Sequence, residues 1–239
     1  MTAHNPLAHR TRIKICGMTR EQDVDAAVAA GADAVGFVLY PPSPRYVAPE
    51  RAAELAARLP PFVTPVLLFV NEATDTILQA CARMRACVVQ FHGDETLQQC
   101  LAATGNGTRP FLRAARIPLD QAQPFDLVNF ASTFPQAQAI LLDAHVEGYG
   151  GGGKAFNWSR LPPSVNAHLV LSGGLTPANV TDGIAQVRPR CRSLSVDVSS
   201  GVEVSKGIKD PEKIHQFVAA VRAADQLLAL NQHALLSTT

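Results

Sequence analysis

The chain is poor in charge, poor in aromatic side chains and without any long apolar run. Only 17% of its 239 residues are charged, 21 Lys and Arg against 20 Asp and Glu, for a net charge of +1. No stretch gathers the basic residues into a patch, which argues against nucleic acid or an anionic membrane as the main partner, since both require a positive footprint. No apolar stretch reaches the roughly 18 residues a membrane span needs. The five cysteines, Cys16, Cys81, Cys87, Cys100 and Cys191, are odd in number and show neither CxxC spacing nor a Cys/His ligand pattern. A disulfide framework and a zinc site are therefore not expected, and a reducing cytoplasm is. Residues 1–11 are polar and hold two His without an apolar core, so they read as a loose tail and not as a signal peptide.

What the chain does have is core: 47% of its residues are hydrophobic. It also has a repeated alternation of short apolar strands and helical stretches. Strands are expected at Arg12–Cys16, Ala34–Tyr40, Thr64–Val70, Ala86–His92, Phe111–Ile117, Ala139–Ala144, His168–Leu171 and Ser193–Val198. Thr19 with Gln22 three places on gives a capping-box start for a first helix running to Gly31, and Pro49 opens a second. Thr74–Arg85, Glu95–Ala103, Pro177–Val187 and Pro211–Leu230 read as further helices, while Pro118–Phe130 is poorly defined. Eight strand-then-helix units predict a parallel sheet closed into a single (β/α)8 TIM barrel spanning 1–239, with the loose tail at 1–11 and a C-terminal extension at 223–239. The rival is an open doubly wound sheet, which often carries GxGxxG in its first turn; here that turn is Cys16-Gly17-Met18-Thr19.

In a barrel of this kind the working residues stand at the carboxyl ends of strands. Gly173-Gly174 after the seventh strand, and Ser199, Ser200 and Gly201 after the eighth, can present backbone N–H groups to a phosphate; alternatively they serve only tight turns. Cys16 ends the first strand beside Lys14 and Arg20, where a modest depression of its pKa would make it a base; alone, it would be a small buried hydrophobe. Asp143 ends a buried strand and is either a protonated general acid or a carboxylate bonded to a loop. Arg45 lies in a proline-stiffened loop suited to bidentate recognition of a carboxylate, or is a surface arginine. His92 and Asp94 form an HGD run, but no second His ends another strand, so hydrogen bonding is expected of His92 and not metal binding. The run Gly148–Lys154 matches GxxxxGK, yet Ala155 replaces the magnesium-holding Ser or Thr, so a glycine-hinged lid is expected there.

Taken together, Lys14-Ile15-Cys16-Gly17, Ser43-Pro44-Arg45-Tyr46-Val47, Gln90-Phe91-His92-Gly93, Leu142-Asp143, Gly150–Gly153 with Phe156-Asn157-Trp158, Gly173-Gly174-Leu175 and Asp197-Val198-Ser199-Ser200-Gly201-Val202-Glu203 resemble phosphoribosylanthranilate isomerase, from Arg12 to about Arg222. The resemblance implies an Amadori rearrangement of N-(5-phosphoribosyl)anthranilate to 1-(2-carboxyphenylamino)-1-deoxyribulose 5-phosphate. It implies Cys16 as general base, Asp143 as general acid, Arg45 on the anthranilate carboxylate, and the turns at Gly173, Gly174, Ser199, Ser200 and Gly201 on the phosphate. No cofactor or metal is implied. The expected partner is a small phosphosugar, with no nucleic acid or membrane, and the protein is expected as a monomer or homodimer. The histidine-pathway isomerase, expected to carry a carboxylate at the Cys16 position, and a non-catalytic phosphate-binding barrel are the alternatives. The chain departs from the pattern at Gly152, where Ser or Thr is common, and at Asn157, where Asp is frequent.

Overall fold

The structure, a computed structural model, describes residues 10–84, 86–119, 125–145 and 156–236. Eight parallel strands close into a barrel in chain order: β1 (Arg12–Cys16), β2 (Ala34–Val38), β3 (Thr64–Phe69), β4 (Val88–Phe91), β5 (Phe111–Pro118), β6 (Ala139–His145), β7 (Val165–Leu171) and β8 (Cys191–Val198), with β8 pairing back onto β1. Around it lie α1 (Glu21–Ala30), α2 (Pro49–Ala56), α3 (Thr74–Ala82), α4 (Leu97–Ala103), α5 (Leu127–Thr133), α6 (Val180–Val187) and α7 (Pro211–Leu236). A small antiparallel hairpin of β9 (Glu203–Ser205) and β10 (Ile208–Lys209) follows β8.

Two sets of residues alternate along the strands. Ile13, Ile15, Val35, Phe37, Leu67, Phe69, Leu142, Leu171, Val196 and Val198 belong to the core shared with the helices. The intervening positions form separate clusters inside the ring: Cys16 with Val38, Leu68 and Val70, and Ala114 with Leu141 and Val170. This period of two fixes the register, because a one-residue slip of β1 would send Ile13 and Ile15 inward and push Lys14 into the apolar helical layer. Desolvating that ammonium away from its partner would cost several kcal/mol.

Most element ends fall within a few residues of their expected places, and the exceptions have local causes. Thr19 does not cap α1: its hydroxyl donates to the Gly207 carbonyl at 2.6 Å, and Arg20 occupies the cap position while pairing with Asp23. The capping box appears instead at α4, where Thr96 and Gln99 bond reciprocally. Helix α6 starts at Val180 and not at Pro177, because the Asn179 side chain folds back onto the turn before it, accepting from Thr176 N and donating to Gly174 O. The ill-defined stretch after β5 contains α5, capped by Asp126. The hairpin carries little periodic signal in the sequence because its strands are three and two residues long.

The segment leading into β1 and the last helix are tied together across the foot of β1. Thr11, fully buried, bonds Asp225 through its backbone N at 3.0 Å and its hydroxyl at 2.6 Å. Helix α7 continues unbroken through residue 223, where an extension was expected to begin. Leu227 and Leu230 on that helix are exposed, as is Phe62, which has a left-handed backbone (φ 72°) in the turn before β3.

Candidate active site

The end of β1 carries a buried charge network. Lys14 and Cys16, two residues apart, project to the same side of the strand. Lys14 pairs in register with Asp197 of β8, and its Nζ donates to Asp197 Oδ1 at 2.8 Å. Ser172, just past β7, donates to the other oxygen of that carboxylate at 3.2 Å. Cys16 is 4% exposed and pairs in register with Gly36 of β2. Gly36 is a glycine for a visible reason: a Cβ there would lie 2.6 Å from the Cys16 Sγ and 3.0 Å from the Lys14 Cε. The thiol and the ammonium stem therefore share the gap that this missing side chain leaves.

The electrostatics of the thiol differ from what the sequence led one to expect. Burial pushes the Cys16 thiol above its ordinary value; Lys14 pulls the other way, Asp197 adds to the rise, and Lys209 opposes it. Desolvation of the thiolate outweighs the neighbouring cations, and Arg20, expected to help, is committed to Asp23. Burial also works against the Lys14 ammonium, but Asp197 and then Cys16 more than offset it and keep Lys14 firmly charged.

On the far side of the ring, Asp143 near the end of β6 is 8% exposed. Its Oδ2 meets His92 Nε2 at 2.9 Å, and the Gln90 amide lies 3.0 Å from His92 Nδ1. The His92 ring is thus held on both sides, by Gln90 at Nδ1 and by Asp143 at Nε2. The carboxyl of this buried strand end therefore has an imidazole on one side. Its Oδ1 faces Gly173, whose absent Cβ would come within 2.9 Å of it. Asp143 and the paired glycines consequently share one rim.

The Gly173 and Gly174 backbones are left-handed (φ 76° and 66°). Any side chain would be strained there, and at Gly173 it would also strike the Ala144 backbone. At Gly201 a Cβ would overlap the Leu175 carbonyl, so the turns after β7 and β8 interlock. Ser199, Ser200 and Gly201 lead into a single 3-10 turn, Ser200–Val202. All five residues are half-buried at the mouth.

Arg45 is 7% exposed, which rules out a surface arginine. Its bidentate edge is present but taken up within the protein: Nε and Nη2 donate to the two Glu203 oxygens at 2.7 and 2.8 Å. Only the Nη1 edge is left to face a ligand carboxylate. Lys209 Nζ joins the same Glu203 at 2.8 Å and also reaches Ser199 O at 3.1 Å. Around the thiol, then, three buried cations (Lys14, Arg45, Lys209) meet two buried carboxylates (Asp197, Glu203). Ionising Cys16, or admitting an anionic ligand, completes the balance.

Asp197, Glu203 and Lys209 are the residues that sequence reasoning left without a role; Lys14 was expected only as a cation beside Cys16, without its Asp197 partner. Asp197 and Glu203 stand inside a recognised motif, whereas Lys209 had no signal beyond a lysine in a loop. The glycine run Gly148–Gly153 lies outside the described residues. Among the described residues, no group of three or more His, Cys, Asp or Glu is arranged to hold a metal, and no helix is long and apolar enough to cross a membrane.

A sequence profile of the N-(5'phosphoribosyl)anthranilate (PRA) isomerase family matches residues 13–220. The chain is 59% identical over 217 residues to the N-(5'-phosphoribosyl)anthranilate isomerase of Dechloromonas aromatica, covering 91% of this chain and 99% of that one. In structure it resembles the phosphoribosyl anthranilate isomerase of Thermus thermophilus, with a TM-score of 0.77, 32% identity and coverage of 89% and 99%. A solved phosphoribosyl anthranilate isomerase in complex with reduced 1-(o-carboxyphenylamino)-1-deoxyribulose 5-phosphate also aligns, at a TM-score of 0.71 and 36% identity, again over 89% and 99%.

Proposed function

As the chain belongs to the N-(5'-phosphoribosyl)anthranilate isomerase family, we propose that it converts N-(5-phosphoribosyl)anthranilate to 1-(2-carboxyphenylamino)-1-deoxyribulose 5-phosphate in tryptophan biosynthesis, with Asp143 as general acid and Cys16 as general base. The reaction moves protons within one molecule and changes no oxidation state overall, so it calls for an acid, a base and two anchors and no cofactor. Asp143, through the Oδ1 beside Gly173, gives a proton to the furanose ring oxygen. The bond between the ring oxygen and the anomeric carbon C1′ breaks, the oxygen stays on C4′ as a hydroxyl, and C1′ becomes a protonated Schiff base with the anthranilate nitrogen. Cys16 then removes the proton from C2′, the electron pair flows to the iminium nitrogen, and the resulting enolamine tautomerises to the ketose.

Lys14 supplies the positive charge that the Cys16 thiolate needs in a buried site before it takes the C2′ proton, with Asp197 holding that ammonium in place. The half-buried turns at Gly173-Gly174 and at Ser199, Ser200 and Gly201 take the phosphate on their backbone N–H groups. Arg45 offers its remaining edge to the anthranilate carboxylate. The five free thiols suit the reducing cytoplasm, where we place the protein.

The observation that carries this reading is that Asp143 lies against Gly173 at the rim while Cys16 sits inside the same ring, outside the helical core. Its test is the loss of anthranilate fluorescence as substrate is consumed. Cys16→Ser and Asp143→Asn are each expected to lower kcat by about 10² to 10⁴. Full activity in both variants would remove these roles and leave the fold standing.

A further inference from the structure

The hairpin after β8 touches three of the loops that make the mouth. Its turn residue Gly207 accepts from the Thr19 hydroxyl after β1 and packs so tightly on Pro44 of the β2 loop that a Cβ would lie 2.9 Å from the Pro44 carbonyl. At its base, Glu203 receives both donors of the Arg45 fork. Lys209, 1% exposed, donates to Glu203 and also to Ser199 O at 3.1 Å and Ser199 Oγ at 3.3 Å. A continuous chain of bonds thus runs from Arg45 through Glu203 and Lys209 to Ser199. The hairpin in turn is held from below, where Lys209 N donates to Asp23 Oδ2 at 3.2 Å and Lys213 Nζ to Glu203 O at 2.8 Å.

We propose that Glu203 and Lys209 are positioning residues that brace the carboxylate-binding arginine against the phosphate-binding turn, setting the distance between the two anchors of the substrate. This rests on the assignment of Arg45 and Ser199 to those anchors. Three features support it. Glu203 occupies the Nε and Nη2 edge of Arg45 and so directs the Nη1 edge; a free arginine on a loop would sample many rotamers. Lys209 has its donors spread over two carbonyl or carboxylate acceptors and a hydroxyl, so it fixes Ser199 relative to Glu203 in more than one direction. Finally, the triad keeps a net charge of +1 after its internal pairing, which leaves Arg45 attractive to an anion despite its buried partner.

A charge-conserving double variant separates position from electrostatics. Glu203→Gln with Lys209→Met removes one charge of each sign and leaves the triad at +1, with Arg45 and Ser199 intact. Steady-state kinetics together with calorimetric titration of anthranilate and of inorganic phosphate give the readout. The expected result is a KM raised about tenfold or more with kcat within about threefold, and weaker binding of both anthranilate and phosphate, since remote positioning acts on binding of the two ends. Lys209→Arg, which keeps a cation in reach of the same acceptors, is expected to restore most of the loss. A KM within about twofold of the parent in the folded double variant overturns the proposal, as does weakening of only one of the two ligands. If the double variant does not fold, Lys209→Met alone, which leaves the Arg45–Glu203 pair in place, is judged by the same two criteria. Arg45→Met tells the two failures apart: an unchanged KM there refutes the anchor assignment itself, whereas a raised KM beside a neutral double variant refutes only the brace.

Discussion

Replacing Gly36 by Ala places one methyl group where the thiol and the ammonium stem converge, and the structure sets the size of the effect. The added Cβ would stand 2.6 Å from Cys16 Sγ, 3.0 Å from Lys14 Cε and 3.1 Å from the Cys16 Cα. Ordinary contact begins at 3.4 Å, so the sulfur must retreat by about 0.8 Å, and the backbone contact prevents the strand from absorbing all of it. Overpacking of this kind costs about 1–3 kcal/mol. For a chain of this length each kcal/mol shifts Tm by roughly 2–4 °C, so the melting point should fall by about 2–12 °C. The larger effect is on rate, since a misplacement near 1 Å of a reacting group costs about 10²-fold. Fluorescence-monitored turnover and a thermal melt measure both quantities on one sample. The same methyl at Gly31, where nothing lies within 4 Å but φ is +91°, is the control: it should lower Tm without the loss of kcat. A Gly36→Ala enzyme with kcat within about twofold of the parent would show that Cys16 is not at the reacting position.

Two further outcomes follow from the charge network and from the chain closure. Lys14→Met removes the cation that opposes the effect of burial on Cys16, so the thiolate becomes harder to form; the rising limb of kcat/KM against pH should move to higher pH, and a shift to lower pH or none refutes the role given to Lys14. Asp225→Ala takes the shared carboxylate from Thr11 and from the buried Arg188, which should cost about 3–5 kcal/mol and roughly 6–20 °C in Tm while leaving KM unchanged; a loss below about 1 kcal/mol by chemical denaturation would contradict it.

The fold was legible because its signal is periodic and local. Alternation along β1 sorts Ile13 and Ile15 outward and Lys14 and Cys16 inward, and nothing distant is needed to read it. Asp143 and Gly173-Gly174 were legible as strand ends for the same reason. Arg45 was half legible: the sequence shows the stiff loop and the forked side chain, and not that Glu203, 158 residues away, takes up one edge of that fork. At Cys16 the flanking cations are visible in sequence, whereas the burial that raises the thiol is not. Thr19 fits a capping box on paper, and only the hairpin turn, 188 residues on, shows why its hydroxyl points elsewhere. Lys209 was illegible altogether, since its three acceptors come together only once the hairpin has folded under the mouth.

The most direct test is a crystal of this protein with reduced 1-(o-carboxyphenylamino)-1-deoxyribulose 5-phosphate. The account predicts Cys16 Sγ within about 3.5 Å of C2′, an Asp143 oxygen in hydrogen-bond reach of the C4′ hydroxyl, and the phosphate on the turns at Gly174 and Ser200. A ligand whose phosphate lies elsewhere, or whose C2′ lies beyond about 6 Å from that sulfur, would contradict it.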